Sequence, residues 1–239
     1  MSMTLLQIVA NFCARTNLSV PTTVYGSTDP QIAQVRALLE EEGNDLASRG
    51  SWQGLINEAS LTTTATESQG AMSTIASNGF RYILNNTIWS RTRRLPVCGP
   101  LDPREWQMLK ALFVNGPYYR YRIRQDEMLV NPTPPASEAW YFEYVSYNWI
   151  QATGGGAYKQ FFTVDTDEVL LPDTLLLQGL RWRWKKEKGL DFAEDMRTYE
   201  MQVKDALGRD GGKRVIYQDG GPINGPRPGI FVPTGSWNV

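Results

Sequence analysis

The chain has 239 residues, a formal net charge of −1 at pH 7 and 41% hydrophobic residues. That suffices for one core or two small ones, and so balanced a charge sets up no field that would gather nucleic acid. There is no histidine and there are only two cysteines, Cys13 and Cys98, which removes imidazole general bases and Ser-His-Asp or Cys-His nucleophiles and leaves too few ligands for a Cys/His zinc site.

No apolar run nears the roughly 20 residues of a membrane span. The start, MSMTLLQIVANFCART, lacks the basic segment and small-residue cleavage site of a signal peptide. Thr4 to Arg15 reads as a helix: Thr4 and Gln7 fit a capping box, and Leu5, Ile8, Val9 and Phe12 share a face, with Cys13 beside them as a core thiol. Residues 16–28 form a loop rich in Thr and Ser. Asp29-Pro30 starts a second helix, a capping carboxylate followed by proline at the first helical position. Ile32, Val35, Leu38, Leu39 and Leu46 carry it to about Ser48, and Arg49-Gly50 ends it. Glu40, Glu41 and Glu42 are expected on its solvated face, with carboxylates for hydrolysis as the alternative.

After Trp52 the β-branched, polar run LTTTATESQ predicts an extended edge segment. Met72 to Asn85 reads as a short helix and Asn86 to Arg94 as a strand. Cys98 lies in the loop LPVCGP. The sequence leaves a Cys13–Cys98 disulfide open, while such sparse cysteine use suits a reducing cytoplasm. A helix follows, with Asp102 as cap, Pro103 first, and Trp106, Leu109, Lys110 and Phe113 inward. In YYRYRIR, Tyr119, Tyr121 and Ile123 alternate with Arg120, Arg122 and Arg124, so period two gives one packed face and one arginine face. Gln125-Asp126-Glu127 turns into MLVNP, Pro132, Pro134 and Pro135 form a stiff connector, and EAWYFEYVSYNW is a strand aromatic on both faces, hence central or covered.

Thr153 to Gly156 is a flexible loop and no phosphate loop, because AYKQFF follows rather than GK[ST]. Asp165, Asp167 and Glu168 imitate a divalent-ion site but lack EF-hand spacing, and are expected as acidic loop residues next to a helix start. From Leu170 to Leu207 two amphipathic helices are predicted. Asp173 caps the first, Leu176, Leu177, Leu180 and Trp184 share its face, and Gly189 makes the turn. Asp191 opens the second, whose stripe is Phe192, Met196, Tyr199, Val203 and Leu207, with Glu200 and Lys204 paired on the wet side.

The arginine row has three readings: contact with DNA phosphates, salt bridges to a neighbouring subunit, or a solvated sheet face. RWRWKKEK has the local look of a nucleic-acid surface. Trp184 lies on the apolar stripe, however, and residues 173–208 carry seven basic and seven acidic side chains, so structural packing is the preferred reading. Residues 209–239, with seven glycines and four prolines, read as an extended arm. Within it, RVIYQ and GIFVP suggest short strands that borrow a partner's edge, with Tyr217, Phe231 and Trp237 as anchors.

The order LPDTLLLQGLRWRWKKEKGLDFAEDMRTYE resembles the C-terminal helices of head-to-tail adaptor proteins of short-tailed bacteriophages, the tail tubular protein A type. NNTIWSRTRRLPVCGPLDPREWQMLKA is similar to that family's pattern of Trp, an arginine-rich stretch, GPL and EWQ on a helix. YRYRIRQDEMLVNPTPP followed by AWYFEYVSYNW is similar to its central hairpin and strand. The likeness spans roughly residues 1–208. It implies a structural virion protein without catalytic, cofactor or metal site. It further implies a ring of twelve subunits at the head-tail junction, assembled in the host cytoplasm. The implied partners are the portal protein, a tail tube or nozzle protein, and DNA that passes through the channel without sequence-specific binding; no membrane anchoring is expected.

The expected fold class is therefore α+β. Residues 1–52 and 151–208 make a helical bundle from both ends of the sequence, 53–150 a β-rich insertion domain, and 209–239 the arm. Two other functions are weighed. One is a tail-associated glycan hydrolase using Glu138 and Glu143, which the strand alternation puts on opposite faces. The other is a DNA-binding module built on Arg120, Arg122, Arg124 and the RWRWKK helix.

Overall fold

The computed structural model describes residues 2–112, 116 and 118–211. In chain order the elements are α1 (Leu5–Thr16), α2 (Pro30–Ser48), a 3-10 turn (Gln53–Leu55), β1 (Ile56–Thr62), β2 (Ser68–Ala71), α3 (Met72–Ile75), β3 (Tyr82–Ile83), β4 (Trp89–Ser90), β5 (Leu95–Pro96), α4 (Pro103–Ala111), β6 (Arg120–Arg124), β7 (Glu127–Asn131), β8 (Ala139–Val145), β9 (Ile150–Gln151), β10 (Tyr158–Lys159), β11 (Glu168–Val169), α5 (Asp173–Glu187) and α6 (Ala193–Asp210). Helices and antiparallel strand pairs make the class α+β. The described residues group into two compact units: 2–59, 72–84 and 143–211 in the first, 60–71 and 85–142 in the second. Residues 53–59, 72–84 and 143–150, which lie inside the expected insertion, thus group with the helices.

The first unit is built on α1, α2, α5 and α6. Thr4 caps α1 with both halves of a capping box in place, and Asp29 caps α2 through the Gln31 amide. The apolar faces meet in one core containing Leu5, Ile8, Val9 and Phe12 of α1, Val35, Leu39 and Leu46 of α2, Leu176, Leu180 and Trp184 of α5, and Tyr199 and Val203 of α6. Phe12 and Trp184 meet edge to face, with centroids 5.7 Å apart. Trp149 lies so close to α2 that a Cβ at Gly43 would fall 2.2 Å from its ring, and its indole N–H donates to Asn44 Oδ1 at 3.1 Å. Small antiparallel ladders, β10-β9-β11 and β3 on the last residues of β8, close this unit. Cys13 is buried here, and burial pushes its thiol pKa up.

A charged cluster sits inside this apolar frame. Arg183 of α5 donates from Nε to Glu42 Oε2 at 2.6 Å, from Nη2 to Asp45 Oδ2 at 3.0 Å and from Nη1 to Glu41. Glu42 is fully buried and also accepts the Tyr199 hydroxyl of α6. Arg49 continues the network, at 2.8 Å from Asp45 and 2.6 Å from Glu200. Gly179 is the enabling residue on α5, since a Cβ there would stand 2.1 Å from the Glu42 carboxyl. The expectation of a solvated Glu40–Glu42 face is therefore corrected: Glu42 is core, Glu41 faces Arg183 from an exposed position, and Glu40 is half-buried.

The second unit centres on two strand groups. β6 and β7 pair over their whole length around the two-residue turn Gln125–Asp126, where φ is 51° and 64°, and β2 flanks β7. Positive φ at both central residues matches the right-handed twist of a tight hairpin. The first residues of β8 pair with β4, which pairs with β5. Along β8, Trp140, Phe142 and Tyr144 are buried, while Tyr141 is half-buried and Glu143 exposed. The strand lies between β1 and β4 and is thus central in its sheet, one of the two alternatives its aromatic faces predict.

Other expectations are corrected. Only Met72–Ile75 of the segment 72–85 is helical. The expected strand 86–94 is a two-residue strand followed by a turn, with Arg94 at φ 58°. On α4 Trp106 is buried, Leu109 half-buried, and Lys110 exposed and paired with Glu67; Phe113 lies outside the described residues. Asp173 does not cap α5, because its carboxylate accepts the Met3 amide at 3.2 Å. Asp191 accepts the Ala193 amide without being the N-cap of α6. Met196 is 39% exposed, and Glu200 pairs with Arg49 instead of Lys204. The helix α6 runs to Asp210, whose carboxylate accepts the Gln53 amide, so the arm cannot begin at residue 209.

Arg183→Met would strand the buried Glu42 carboxylate with Tyr199 as its remaining partner. The expected loss is about 3–5 kcal/mol of unfolding free energy, read from the urea midpoint. An unchanged midpoint would show that the network does not hold the three helices together.

Candidate functional site

The arginine face is the sequence-predicted site that the described residues contain. Tyr119, just before β6, and Tyr121 are 3% and 1% exposed and Ile123 is half-buried, while the other side carries Arg120, Arg122 and Arg124 about 6.6 Å apart. Arg120 and Arg124 are exposed and Arg122 half-buried. Register places Asn131, Leu129 and Glu127 directly opposite them on β7, so one acid interrupts the cationic row. Glu127 is engaged by the Ser68 hydroxyl at 2.5 Å. Among the described residues the three guanidinium groups enter no hydrogen bond or ion pair. What they can do is bind an oxyanion or carboxylate surface presented from outside.

The arginine-rich stretch before α4 is differently used. Arg93 Nε lies 2.5 Å from Glu138 Oε1, and its guanidinium stacks 4.7 Å from the Tyr119 ring centroid. Glu138 is buried and also accepts Tyr119 Oη at 3.0 Å, Trp140 Nε1 at 3.1 Å and Ser90 Oγ at 3.2 Å. Burial, and then the carboxylate, push the Tyr119 hydroxyl pKa up to about 12. A carboxylate so saturated with donors ties strands together and has no lone pair aimed at a substrate. Glu143 is exposed, so the two candidates for glycan hydrolysis occupy unlike environments.

The RWRWKK segment has lost its nucleic-acid character to packing. Trp182 and Trp184 are each 7% exposed, Arg183 is in the acid clamp, and Arg181 and Lys185 face Asp195. Trp182 stacks on Phe192 and Tyr199, which leaves no aromatic face for a base.

Asp165 and Asp167 are builders, which sequence reasoning missed. Asp165 accepts the Val24 amide at 3.1 Å and the Tyr25 amide at 2.7 Å, pinning the loop after α1. Asp167 is fully buried and accepts the Thr163 and Val164 amides at 2.7 and 3.1 Å and Lys159 Nζ at 2.7 Å. Burial alone would raise its pKa, but Lys159 and the two amides outweigh it and hold the carboxyl below the usual range. Glu168 accepts the Ser2 hydroxyl. Among the described residues no group of His, Cys, Asp or Glu could hold a metal ion, and both cysteines are free, Cys98 exposed. No described helix is long and apolar enough to cross a membrane. Tyr217, Phe231 and Trp237 lie outside the described residues.

Comparison with protein-family models finds no match, and neither does comparison with curated proteins.

Glu138→Ala should lower stability by about 1–3 kcal/mol by orphaning its donors, and should move no hydrolytic activity. A glycan hydrolysis that the well-folded variant loses would reverse this assignment. For Asp167 the depressed folded-state pKa stabilises the fold above the ordinary carboxylate range, and the contribution is lost as pH falls through the folded value. Wild type should therefore lose stability below about pH 4 more steeply than Asp167→Asn, measured by urea titration across pH. Parallel curves would show that Asp167 carries no such linkage.

Proposed function

We propose that this chain is a head-to-tail adaptor: a structural virion protein that forms a ring between portal and tail and lines the DNA channel. In this reading the helices from both ends of the sequence are a bundled scaffold, the β-rich insertion carries a lateral contact, and the chain after α6 is an arm that grips the portal, the next subunit or a tail component. The observation that carries it is the division of charge. Glu42, Asp45, Arg49, Arg183, Asp167 and Glu138 are committed to internal networks, whereas Arg120, Arg122 and Arg124 stand on one strand face without partners among the described residues. Acidic residues outnumber basic ones in the described helical unit, and the reverse holds in the strand-rich unit. A basic surface that meets an acidic one elsewhere on an identical chain makes a heterologous contact, and such contacts close into rings. The resemblance along roughly residues 1–208 supports the same reading.

The test is Arg120→Glu, Arg122→Glu and Arg124→Glu together, followed by sizing with light scattering and by DNA retention at graded salt. The expected outcome is a folded monomer that no longer forms rings. Normal rings with lost, salt-sensitive DNA retention would favour a DNA-contacting surface instead.

A further inference from the structure

One end of α1 carries an apolar knob and the other end a cavity. At the N-terminal end, the Leu5 and Leu6 amides donate to the carbonyls of Asp167 and Asp165, so the loop 161–168 sits there. That loop exposes Phe161 by 52% and Val164 by 47%, and Tyr25, whose amide is held by Asp165, is 46% exposed. The loop is not slack. Asp167 holds the amides of Thr163 and Val164, and Phe162 packs edge to face on Trp149 at 5.2 Å. A large aromatic held rigidly in water costs little further entropy when it is buried by a partner.

At the C-terminal end lies a cavity of about 420 Å³. Phe12, Leu177 and Trp184 form its apolar wall, and Arg15, Arg181 and Lys185 its cationic rim. Leu190, 55% exposed, stands at the mouth. Gln178 also lines it, and its Oε1 is buried with no donor among the described residues. Asp195 faces Arg181 and Lys185, which leaves the rim in positive excess. The volume falls within the range of pockets that accept one or two side chains or a small ligand.

We propose that Phe161 and Val164 of one copy seat in this cavity of the next copy. The proposal rests on the adaptor reading and names one lateral contact of its ring. Complementarity has two parts. The knob is apolar like the cavity wall. The carboxylates of Asp165 and Glu168 beside the knob have no cation partner among the described residues and match the cationic rim. A 12-residue helix spans roughly 18 Å, so a chain cannot fill its own cavity. Knob and cavity are unlike surfaces, and repeating the contact propagates from copy to copy.

The experiment uses the full chain with Cys98→Ser. Phe161→Cys and Leu190→Cys are made separately, mixed and oxidised. Disulfide-linked dimer should form in the mixture several-fold above Phe161→Cys mixed with Met201→Cys, a control position 52% exposed on α6. Adding Arg181→Glu to the Leu190→Cys chain should remove that excess. A yield no higher than the control overturns the contact. So does a Phe161→Asp variant that assembles rings at wild-type yield, and that result leaves the adaptor reading standing. Conversely, a chain that links as expected but never joins a particle keeps the contact and defeats the adaptor reading.

Discussion

Arg183 enters the interior of the helical unit with its charge intact, and much else in that unit is arranged around this fact. Three acids on α2 approach it, Tyr199 of α6 completes the shell of Glu42, and Gly179 leaves room for the carboxyl. Removing these ions from water carries a desolvation penalty of several kcal/mol per ion, so the pair is weak as a source of net stability. Its strength lies in geometry. Apolar stripes on α2, α5 and α6 could slide past one another by a turn at modest loss, whereas a fixed guanidinium with three carboxylate partners accepts one register. Any slip leaves an unpaired ion in the core.

The strand-rich unit repeats this logic on a smaller scale. Glu138 draws Arg93, Tyr119, Ser90 and Trp140 to one point and so joins β4 and the turn after it, the residue before β6 and the start of β8. Tyr119 and Arg120 are adjacent residues, yet they serve opposite ends: the tyrosine is locked inward by Glu138, and the arginine is thereby directed outward. The presentation of the arginine face thus follows from a buried carboxylate on its reverse.

Helices were the most legible part of the sequence, because their ends carry local chemistry. Thr4 with Gln7, Asp29 with Pro30, and Asp102 with Pro103 each cap a helix in the structure. The β6 alternation was legible for the same reason, since period two needs no knowledge of partners. Glu42 was misread from composition, as part of an acidic run, although its spacing held the answer: it falls three residues after Leu39 and four before Leu46, on the apolar stripe. Arg183 likewise falls three residues after Leu180. A charge on an apolar stripe signals a buried pair, but its partner is about 140 residues away and no local pattern names it. The short strands failed for a related reason. Trp89–Ser90 and Leu95–Pro96 exist through pairing with distant segments, and two residues have no period. Asp165 and Asp167 were invisible as builders because most of their donors are backbone amides, which leave no trace in the sequence.

In the proposed ring these buried acceptors would bear directly on assembly. A protein that associates through a few side chains loses affinity to the ordering of those side chains, unless the fold has already ordered them. Phe161 and Val164 belong to a loop whose amides are fixed by Asp167, and Arg120 stands next to a tyrosine fixed by Glu138. Asp167 immobilises the backbone beneath an exposed group, and Glu138 the side chain next to one. The polar interior and the exposed aromatic and arginine residues are thus two sides of one arrangement: the charges withdrawn from the surface are those that hold the remaining surface groups in place. A ring needs this more than a single pair does, because each junction must adopt the same geometry for the last subunit to meet the first.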